Sequence, residues 1–264
     1  MEKPLATAAF SFCTRCYSIA AMQEISFSVS PGASLKVQTV GKAETPVIVI
    51  DDFGRDLQDL IGFACRSAEY GPDATSMYPG LRAKLPKSYT RSVLKRLYRV
   101  LFAVYSIPSN LGMKAVNAAY SLIATPENGL KPGQCRPHID STRPNYLAIL
   151  HYLNDGPFCD TGLFRHRETG LERITEDCLD EYNRSREAYA AVHGQDEMAY
   201  VKGSNDQYEL YHRIEYRPNR LAIYPGCLLH SGLVDPAVDV NPDPRTGRLT
   251  ANIFVDFFPL ETAH

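Results

Sequence analysis

The first half of the chain carries two amphipathic patterns with helical spacing. Between residues 51 and 70 the apolar positions are Leu57, Leu60, Ile61, Ala64, Cys65 and Ala68. A second pattern, at about 89–106, has Val93, Leu97, Val100, Leu101 and Val104 as its apolar positions. Because this spacing puts the apolar side chains on one face of a helix, both stretches predict helices that pack against a core.

Other segments have the apolar character of strands. Residues 24–41 alternate on both sides of Pro31-Gly32 and predict two short strands, and the apolar run 46–50 predicts a buried strand. From residue 117 onward strand patterns dominate, at 117–125, 161–167, 207–216, 219–226 and 248–259. Helices followed by many strands indicate the α+β class, with a β core and the N-terminal helices packed on the sheet.

No repeat, low-complexity tract or linker divides the chain. We therefore expect a single domain over residues 1–264, with residues 1–23 as a flexible N-terminal segment. Residues 70–88 are rich in Gly, Pro and polar residues and predict a loop. The polar segment 168–206, with a helix at roughly 173–192, is expected to form an insertion that acts as a lid or substrate wall.

Composition and charge narrow the classes of partner that we expect for this chain. The chain is 44% hydrophobic and 22% charged, as in ordinary globular proteins. Its net charge of -2 gives no reason to expect a nucleic acid or an anionic membrane as partner. The basic residues Lys95, Arg96 and Arg99 are interpreted as a solvated helix face. No apolar run reaches about 18 residues, so no transmembrane helix is expected.

The N-terminus and the cysteines favour a cytoplasmic protein. The first residues lack the basic region, apolar core and cleavage site of a secretion signal. Seven widely spread cysteines are expected to be reduced thiols. Cys13 and Cys16 form a C-x-x-C without a second pair, which we interpret as incidental.

The first candidate chemistry is the pair His138 and Asp140, separated by one apolar residue. In an extended segment, residues two positions apart point to the same side, so both side chains can reach one point. Imidazole nitrogen and carboxylate oxygen together suit a divalent transition metal. The pair alone is a weak signal, because His138 could instead hydrogen-bond Asp140 at the end of a loop.

A third ligand is expected from a distant strand, and His230 has the most informative setting. It follows a strand and a Tyr-Pro-Gly turn, and it opens the next strand. With His138 and Asp140 it would complete the two-histidine, one-carboxylate triad of non-haem Fe(II) oxygenases. Among the other histidines, His151 is interpreted as a core or surface residue, and His166 and His212 as candidates to line a pocket.

An oxygenase of this kind commonly needs a two-electron donor. If the donor is 2-oxoglutarate, the far carboxylate of that molecule needs a cation deep in the pocket. Arginine suits this role because its planar fork matches a carboxylate. Arg248 begins the last strand, 18 residues after His230. Arg245 is the competing candidate, although it precedes Thr246-Gly247 and has a loop-like setting.

Several motifs together resemble the Fe(II)/2-oxoglutarate-dependent dioxygenases, in the prolyl-hydroxylase-like branch. The matching segments are PVIVIDDF, PHID, LAILHYLND, TGLFRHR, AIYPGCLLHSG and GRLTANIFVDF, which together extend over most of the chain. The chain departs from the pattern of that branch in two ways. Thr161 stands where a Gly is usual, and the loop between His230 and Arg248 is longer.

The resemblance implies a double-stranded β-helix, also called a jelly-roll or cupin-like core, with Fe(II) held by His138, Asp140 and His230. It implies 2-oxoglutarate and O2 as co-substrates, with Arg248 as the anchor of 2-oxoglutarate. Tyr146 and Tyr120 are candidates to hydrogen-bond it. The implied reaction is hydroxylation of an unactivated C–H bond in an amino acid, a peptide or a small natural product.

The presence of Asp140 favours hydroxylation over halogenation, since the related halogenases replace this carboxylate with a small residue. Two alternatives to an oxygenase stay open. One is a non-catalytic protein that binds metal and 2-oxoglutarate, and the other is a cupin-like metalloenzyme that uses Zn or Mn without 2-oxoglutarate. The sequence leaves the oligomeric state open, with a homodimer as one alternative.

Overall fold

Most strands of the protein join one large antiparallel sheet. The computed structural model describes residues 25–73 and 77–260, so the predicted flexible segment 1–23 and its C-x-x-C lie outside the described residues. The strands are β1 (Ser34–Val40), β2 (Thr45–Asp51), β3 (Gly71–Pro72), β4 (Gly80–Lys84), β5 (Leu111–Ile123), β6 (Leu147–Tyr152), β7 (Thr161–His166), β8 (Tyr208–Ile214), β9 (Leu221–Pro225), β10 (His230–Gly232) and β11 (Thr250–Pro259). The helices are α1 (Gln58–Arg66), α2 (Lys87–Val104), α3 (Leu179–His193) and α4 (Pro236–Asp239). The α+β class is confirmed.

The strands form two sheets with many crossovers. The large sheet has eight strands in the order β1-β2-β9-β6-β11-β5-β4-β3, and the small sheet has the order β10-β7-β8. Each strand pair in these sheets is antiparallel. Sequence neighbours such as β9 and β10 therefore lie in different sheets.

The central strands β6 and β9 of the large sheet are buried on both faces, which explains their continuous apolar sequences. On β6, Leu147 and Ile149 belong to the cluster that includes α1 and α2, whereas Ala148 and Leu150 belong to a second cluster on the other face. The second cluster also contains Leu163 of β7 in the small sheet. Because successive side chains alternate between faces, one strand connects a helical layer on one side to the small sheet on the other.

His151 fastens the helical layer to the sheet. Its ring is fully buried, with Nδ1 2.9 Å from the Tyr89 hydroxyl on α2 and Nε2 3.2 Å from Asn219 Oδ1. Burial lowers the pKa of His151 to about 4, because a charged ring would lose its hydration there. The interpretation of His151 as a core residue agrees with this position.

The structure differs from the sequence expectations in three segments. Of the two short strands predicted in 24–41, the second is β1, which pairs with β2, and the first is reduced to a bridge between Val29 and Gly54. The predicted loop 70–88 contains β3 and β4, which extend the sheet beyond β5. α3 begins at Leu179 rather than near 173, because Ile174 N donates to Cys227 O and holds the preceding segment extended.

No helix within the described part of the chain is long and apolar enough to cross a membrane. This agrees with the expectation from hydropathy.

His151 should make the protein sensitive to moderate acid. The unfolded chain binds a proton on this histidine near its ordinary pKa of 6.5, whereas the folded chain resists it down to about pH 4. The free energy of unfolding should therefore fall as pH drops through that window, by up to about 1.4 kcal/mol per pH unit from this group. Urea unfolding between pH 7 and pH 5 measures it.

The matched variants are His151→Gln and, as a control on the exposed end of α3, His193→Gln. The first should flatten the dependence of stability on pH, and the control should retain it. Equal slopes for His151→Gln and the wild-type chain would contradict this role of His151.

Candidate metal centre

A backbone bridge brings the two distant halves of the candidate centre together. His138 N donates to His230 O, and His230 N donates to His138 O, each at 2.9 Å. This is an antiparallel bridge between a loop and β10, formed between residues 92 apart in sequence. Because it joins the two residues directly opposite each other, their side chains are close neighbours, with ring centroids 4.4 Å apart.

Asp140 is positioned by the turn between β9 and β10. Asp140 N donates to Gly226 O at 2.7 Å, and Gly226 N donates to Tyr146 O at 2.7 Å. A Cβ atom on Gly226 would lie 2.6 Å from Cδ1 of Tyr146 and 3.3 Å from Cβ of Asp140. The absence of a side chain at Gly226 therefore lets the Asp140 loop approach β10.

The three side chains converge as the sequence predicts. Potential ligand atoms of His138, Asp140 and His230 all lie within 4.8 Å of one another. His230 Nε2 is 3.6 Å from Asp140 Oδ2, which is too long for a hydrogen bond and leaves room for an ion between them. Two imidazoles and one carboxylate are a donor set that divalent iron accepts.

His230 has its tautomer set by the backbone. Its Nδ1 is 2.8 Å from the carbonyl oxygen of Leu228, and since a carbonyl only accepts, Nδ1 carries the proton. Nε2, which faces Asp140, then presents its lone pair. This is the arrangement in which protein histidines bind metals.

The electrostatics of the centre fit a bound cation. Asp140 Oδ2 is buried and has no hydrogen-bond partner within the described residues. Burial raises the pKa of Asp140, although His230 and Arg82 act in the opposite direction. His138 has an exposed surface, yet the surrounding chain desolvates its ring and lowers its pKa, and the interactions with His230 and Arg82 act the same way. A divalent ion would bind the neutral imidazole and would neutralise the carboxylate, which lacks a hydrogen-bond partner.

The centre opens into a cavity of about 120 Å³ that is partly open to solvent. The polar and charged residues that line it, besides the triad, are Tyr78, Arg82, Gln134, Thr161, Tyr200, Tyr224, Ser231, Arg248, Thr250 and Asn252. Apolar walls come from Ile123 and Leu150 of the large sheet and from Val234 just after β10. Apolar walls with a few convergent polar and charged groups are typical of small-molecule sites.

Arg248 lies in this cavity, and Arg245 lies outside its lining. Arg248 is buried, its Nε donates to Cys159 O at 3.1 Å, and its guanidinium lies over the rings of Tyr152 and Tyr216. No carboxylate oxygen in the described chain lies within 4.0 Å of its nitrogens. Arg245 is exposed and paired with Asp243 at 2.9 Å. Of the two candidates, Arg248 is the one with access to a ligand.

The two candidate tyrosines are not brought to the cavity wall. Tyr120 is fully buried in the helical cluster, and its hydroxyl donates to Leu60 O at 2.8 Å. Tyr146 packs against Phe254, with ring centroids 5.9 Å apart, and stands behind Gly226 and Asp140. His166 and His212 do not line this cavity either. The 168–206 segment contributes Tyr200, whose hydroxyl donates to Thr125 O at 2.6 Å.

Sequence reasoning missed Arg82, Tyr78 and Asn252. Arg82 and Tyr78 lie in the segment that was predicted as a loop, and only the pairing of β4 with β5 places Arg82 beside the centre. Asn252 lies on β11 between Thr250 and Phe254, which line the same cavity. Its position two residues from Thr250 and four from Arg248 was a signal in the sequence, because alternate strand residues share a face.

Removal of Asp140 should abolish tight metal binding. Asp140→Ala should weaken the affinity for Mn(II), used here as a stable probe ion, by at least about 100-fold, since loss of a second-shell partner alone costs 10- to 100-fold. Calorimetric titration of the full chain measures this. His193→Gln is the control, and retention of full Mn(II) affinity by Asp140→Ala would refute the triad.

Gly226→Ala should disturb the centre without touching a ligand. The added methyl group must displace Tyr146 and the Asp140 backbone, at a cost of about 1–3 kcal/mol in the free energy of unfolding. Mn(II) affinity should fall with it. Gly203→Ala is the control because a Cβ there meets no atom within 4 Å. Unchanged Mn(II) affinity in Gly226→Ala would show that the close approach is not required.

Comparison with known proteins gives a family match. A family model described as a family of unknown function (DUF6445) matches residues 31–255, a range that contains the triad, Arg82 and Arg248. Neither a curated protein nor a solved structure matches the chain. Since the model matches most of the chain, the protein belongs to the DUF6445 family.

Proposed function

We propose that the protein is a non-haem Fe(II)- and 2-oxoglutarate-dependent oxygenase that hydroxylates an unactivated C–H bond. The observation that carries the proposal is one cavity in which His138, Asp140 and His230 converge and which Arg248 lines with no carboxylate partner among the described residues. A metal triad and a separate carboxylate anchor are the two requirements for binding a keto acid through both of its ends.

The strand order supports a double-stranded β-helix. In the large sheet β9, β6, β11 and β5 are adjacent, and the small sheet of β10, β7 and β8 packs against them through Leu163 and Leu228. The loop at His138 pairs with β10 and adds a short fourth member to the small sheet. Two facing sheets of four antiparallel members each are what a jelly-roll core requires.

The metal would bind at the triad, with its free side toward the cavity. Fe(II) bound there would supply the oxidising chemistry with O2 and 2-oxoglutarate as co-substrates. The overall reaction balances as substrate R–H plus 2-oxoglutarate plus O2 giving R–OH, succinate and CO2. Asp140 occupies a ligand position in the triad, which favours transfer of a hydroxyl group rather than of a halide.

Arg248 would hold the far carboxylate of 2-oxoglutarate. It is positively charged at any physiological pH, and its bond to Cys159 O together with the rings of Tyr152 and Tyr216 restrains its orientation. Thr161 also lines the cavity and is bonded through its hydroxyl to Tyr152 at 2.8 Å. A restrained guanidinium loses little entropy on binding a carboxylate, so the co-substrate would be oriented before the reaction.

The apolar residues of the wall would keep water from the reacting centre. Ile123, Ala148, Leu150 and Val234 line the cavity beside the triad. Exclusion of water strengthens the interactions of the charged groups and protects a reactive site from side reactions. In this proposal the chain binds, orients and shields, and the bound groups supply the oxidising chemistry.

The proposal is tested by succinate formation. The full chain with Fe(II), 2-oxoglutarate and O2 should form succinate slowly even without a prime substrate. Arg248→Gln should raise the KM for 2-oxoglutarate by about 10- to 100-fold, the cost of losing charged hydrogen bonds, with a smaller effect on kcat.

Arg245→Gln is the matched control, because this arginine is exposed and pairs with Asp243 outside the cavity lining. Binding of 2-oxoglutarate without succinate formation would indicate a non-catalytic binding protein. Turnover of another substrate without 2-oxoglutarate, at a rate that Arg248→Gln leaves unchanged, would indicate a different class of metalloenzyme. Either result overturns the proposal.

A further inference from the structure

Arg82 is a second arginine in the same cavity, on the side of the triad. It lies on β4, opposite Ser121 of β5, and its side chain is only 10% exposed. Nη1 contacts Asp73 at 3.3 Å, and the guanidinium carbon lies 4.8 Å from the ring centre of Tyr78 and 5.8 Å from that of Phe254. These contacts on several sides restrain the guanidinium.

One edge of the Arg82 guanidinium has no partner within the described residues. Nη1 is the atom that contacts Asp73, whereas Nε is buried and makes no hydrogen bond. Nε and Nη2 point the same way and form the side-on fork that matches the two oxygens of a carboxylate. An unsatisfied buried donor costs about 1–3 kcal/mol, so a ligand that satisfies it gains affinity.

The charges around the cavity leave room for a second anion. The charged residues that line it are two arginines, Arg82 and Arg248, and one carboxylate, Asp140. A divalent ion adds two positive charges, and 2-oxoglutarate brings two negative ones. Asp73 offsets part of the charge of Arg82, but at 3.3 Å and through one nitrogen. A further carboxylate would bring the cavity close to neutrality.

Arg82 also lines the same cavity as the candidate metal ligands His138, Asp140 and His230. The guanidinium of Arg82 lies over the ring of Tyr78, whereas that of Arg248 lies over the ring of Tyr152. The two arginines therefore have different neighbours within one cavity.

A neighbouring amide offers a further polar contact. Asn252 Nδ2 donates to Ser121 Oγ at 3.1 Å, and its Oδ1 is buried without a partner in the described chain. Ser121 lies opposite Arg82 on β4 and opposite Thr250 on β11, so Asn252 is two residues further along β11 on the same face of the sheet. Whichever way the amide is turned, one of its polar atoms is left for a ligand.

We propose that Arg82 binds a carboxylate of the prime substrate through its Nε–Nη2 edge and so holds the substrate beside the metal centre. The substrate class is a small carboxylic acid with a further polar group for Asn252, such as a free amino acid or the C-terminal residue of a peptide. This inference rests on the proposed oxygenase function, because it assigns Arg248 to 2-oxoglutarate.

The test compares acids with their own amides. The full chain, loaded with Mn(II) and 2-oxoglutarate under anaerobic conditions, is titrated calorimetrically with the common L-amino acids, their N-acetyl forms and the matching C-terminal amides. At least one acid should bind about 10- to 100-fold more tightly than its amide, the difference made by charged hydrogen bonds. Arg82→Gln should reduce that ratio to near one.

Two further variants keep the test decisive. Arg82→Lys retains the charge without the fork and should give an intermediate ratio, which covers the case in which Arg82→Gln does not fold. Arg213→Gln, which removes an exposed arginine that contacts Asp160 at 3.8 Å outside the cavity lining, should keep the wild-type ratio.

The inference is overturned if no acid binds better than its amide, or if the preference survives in Arg82→Gln. It is also overturned if Arg82→Gln raises the KM for 2-oxoglutarate as Arg248→Gln does, since Arg82 would then serve the co-substrate while the oxygenase proposal stands. Conversely, the protein could prefer acids in a way that depends on Arg82 and yet never form succinate. That result would support the anion site at Arg82 and refute the oxygenase proposal.

Discussion

The two hydrogen bonds between His138 and His230 are the interaction on which the rest of the candidate site depends. They join a loop to β10 across a long stretch of chain, and closure of so long a loop is costly in entropy. The two buried clusters of the large sheet offset this cost, because they order β6, β7 and β9 between the bridged residues. Only then do His138, Asp140 and His230 meet at fixed distances, and the donor set is complete before any ion binds.

The same cavity contains several polar groups that the chain itself leaves unsatisfied. Asp140 Oδ2, Arg82 Nε and Asn252 Oδ1 are buried without partners among the described residues, in a part of the protein that is otherwise well bonded. Buried polar atoms of this kind reduce stability unless a ligand completes them. Their position around one metal-capable triad supports the proposal that the cavity binds a cation and anionic molecules together.

The sequence predicted the long elements with a clear apolar period, but it did not predict strands that form only by pairing with another strand. α2 was expected at about 89–106 and spans Lys87–Val104, and the last strand was expected at 248–259 and spans Thr250–Pro259. β4 escaped prediction because the hydrogen bonds that define it come from β5 rather than from any pattern of its own. Tyr120 faces the helices, whereas its neighbours Ser121 and Ile123 face the other side of the sheet. Because the strand is apolar on both faces, its sequence does not show which face lies against the helices and which lines the cavity.

The sequence by itself determined the period of the main elements and the ligand types, since spacing along one chain segment places His138 and Asp140 on one side and identifies His230 at the start of a strand. Only the tertiary structure placed Arg248 rather than Arg245 in the cavity lining, set Tyr120 away from the cavity and brought Arg82 into the cavity that contains the candidate metal ligands. The reason is that each of these outcomes depends on strand order and register between residues far apart in the chain. A local sequence pattern specifies which side chains share a face of an element and which chemical groups they carry. The residues that they contact across that face are specified by the packing of the whole sheet.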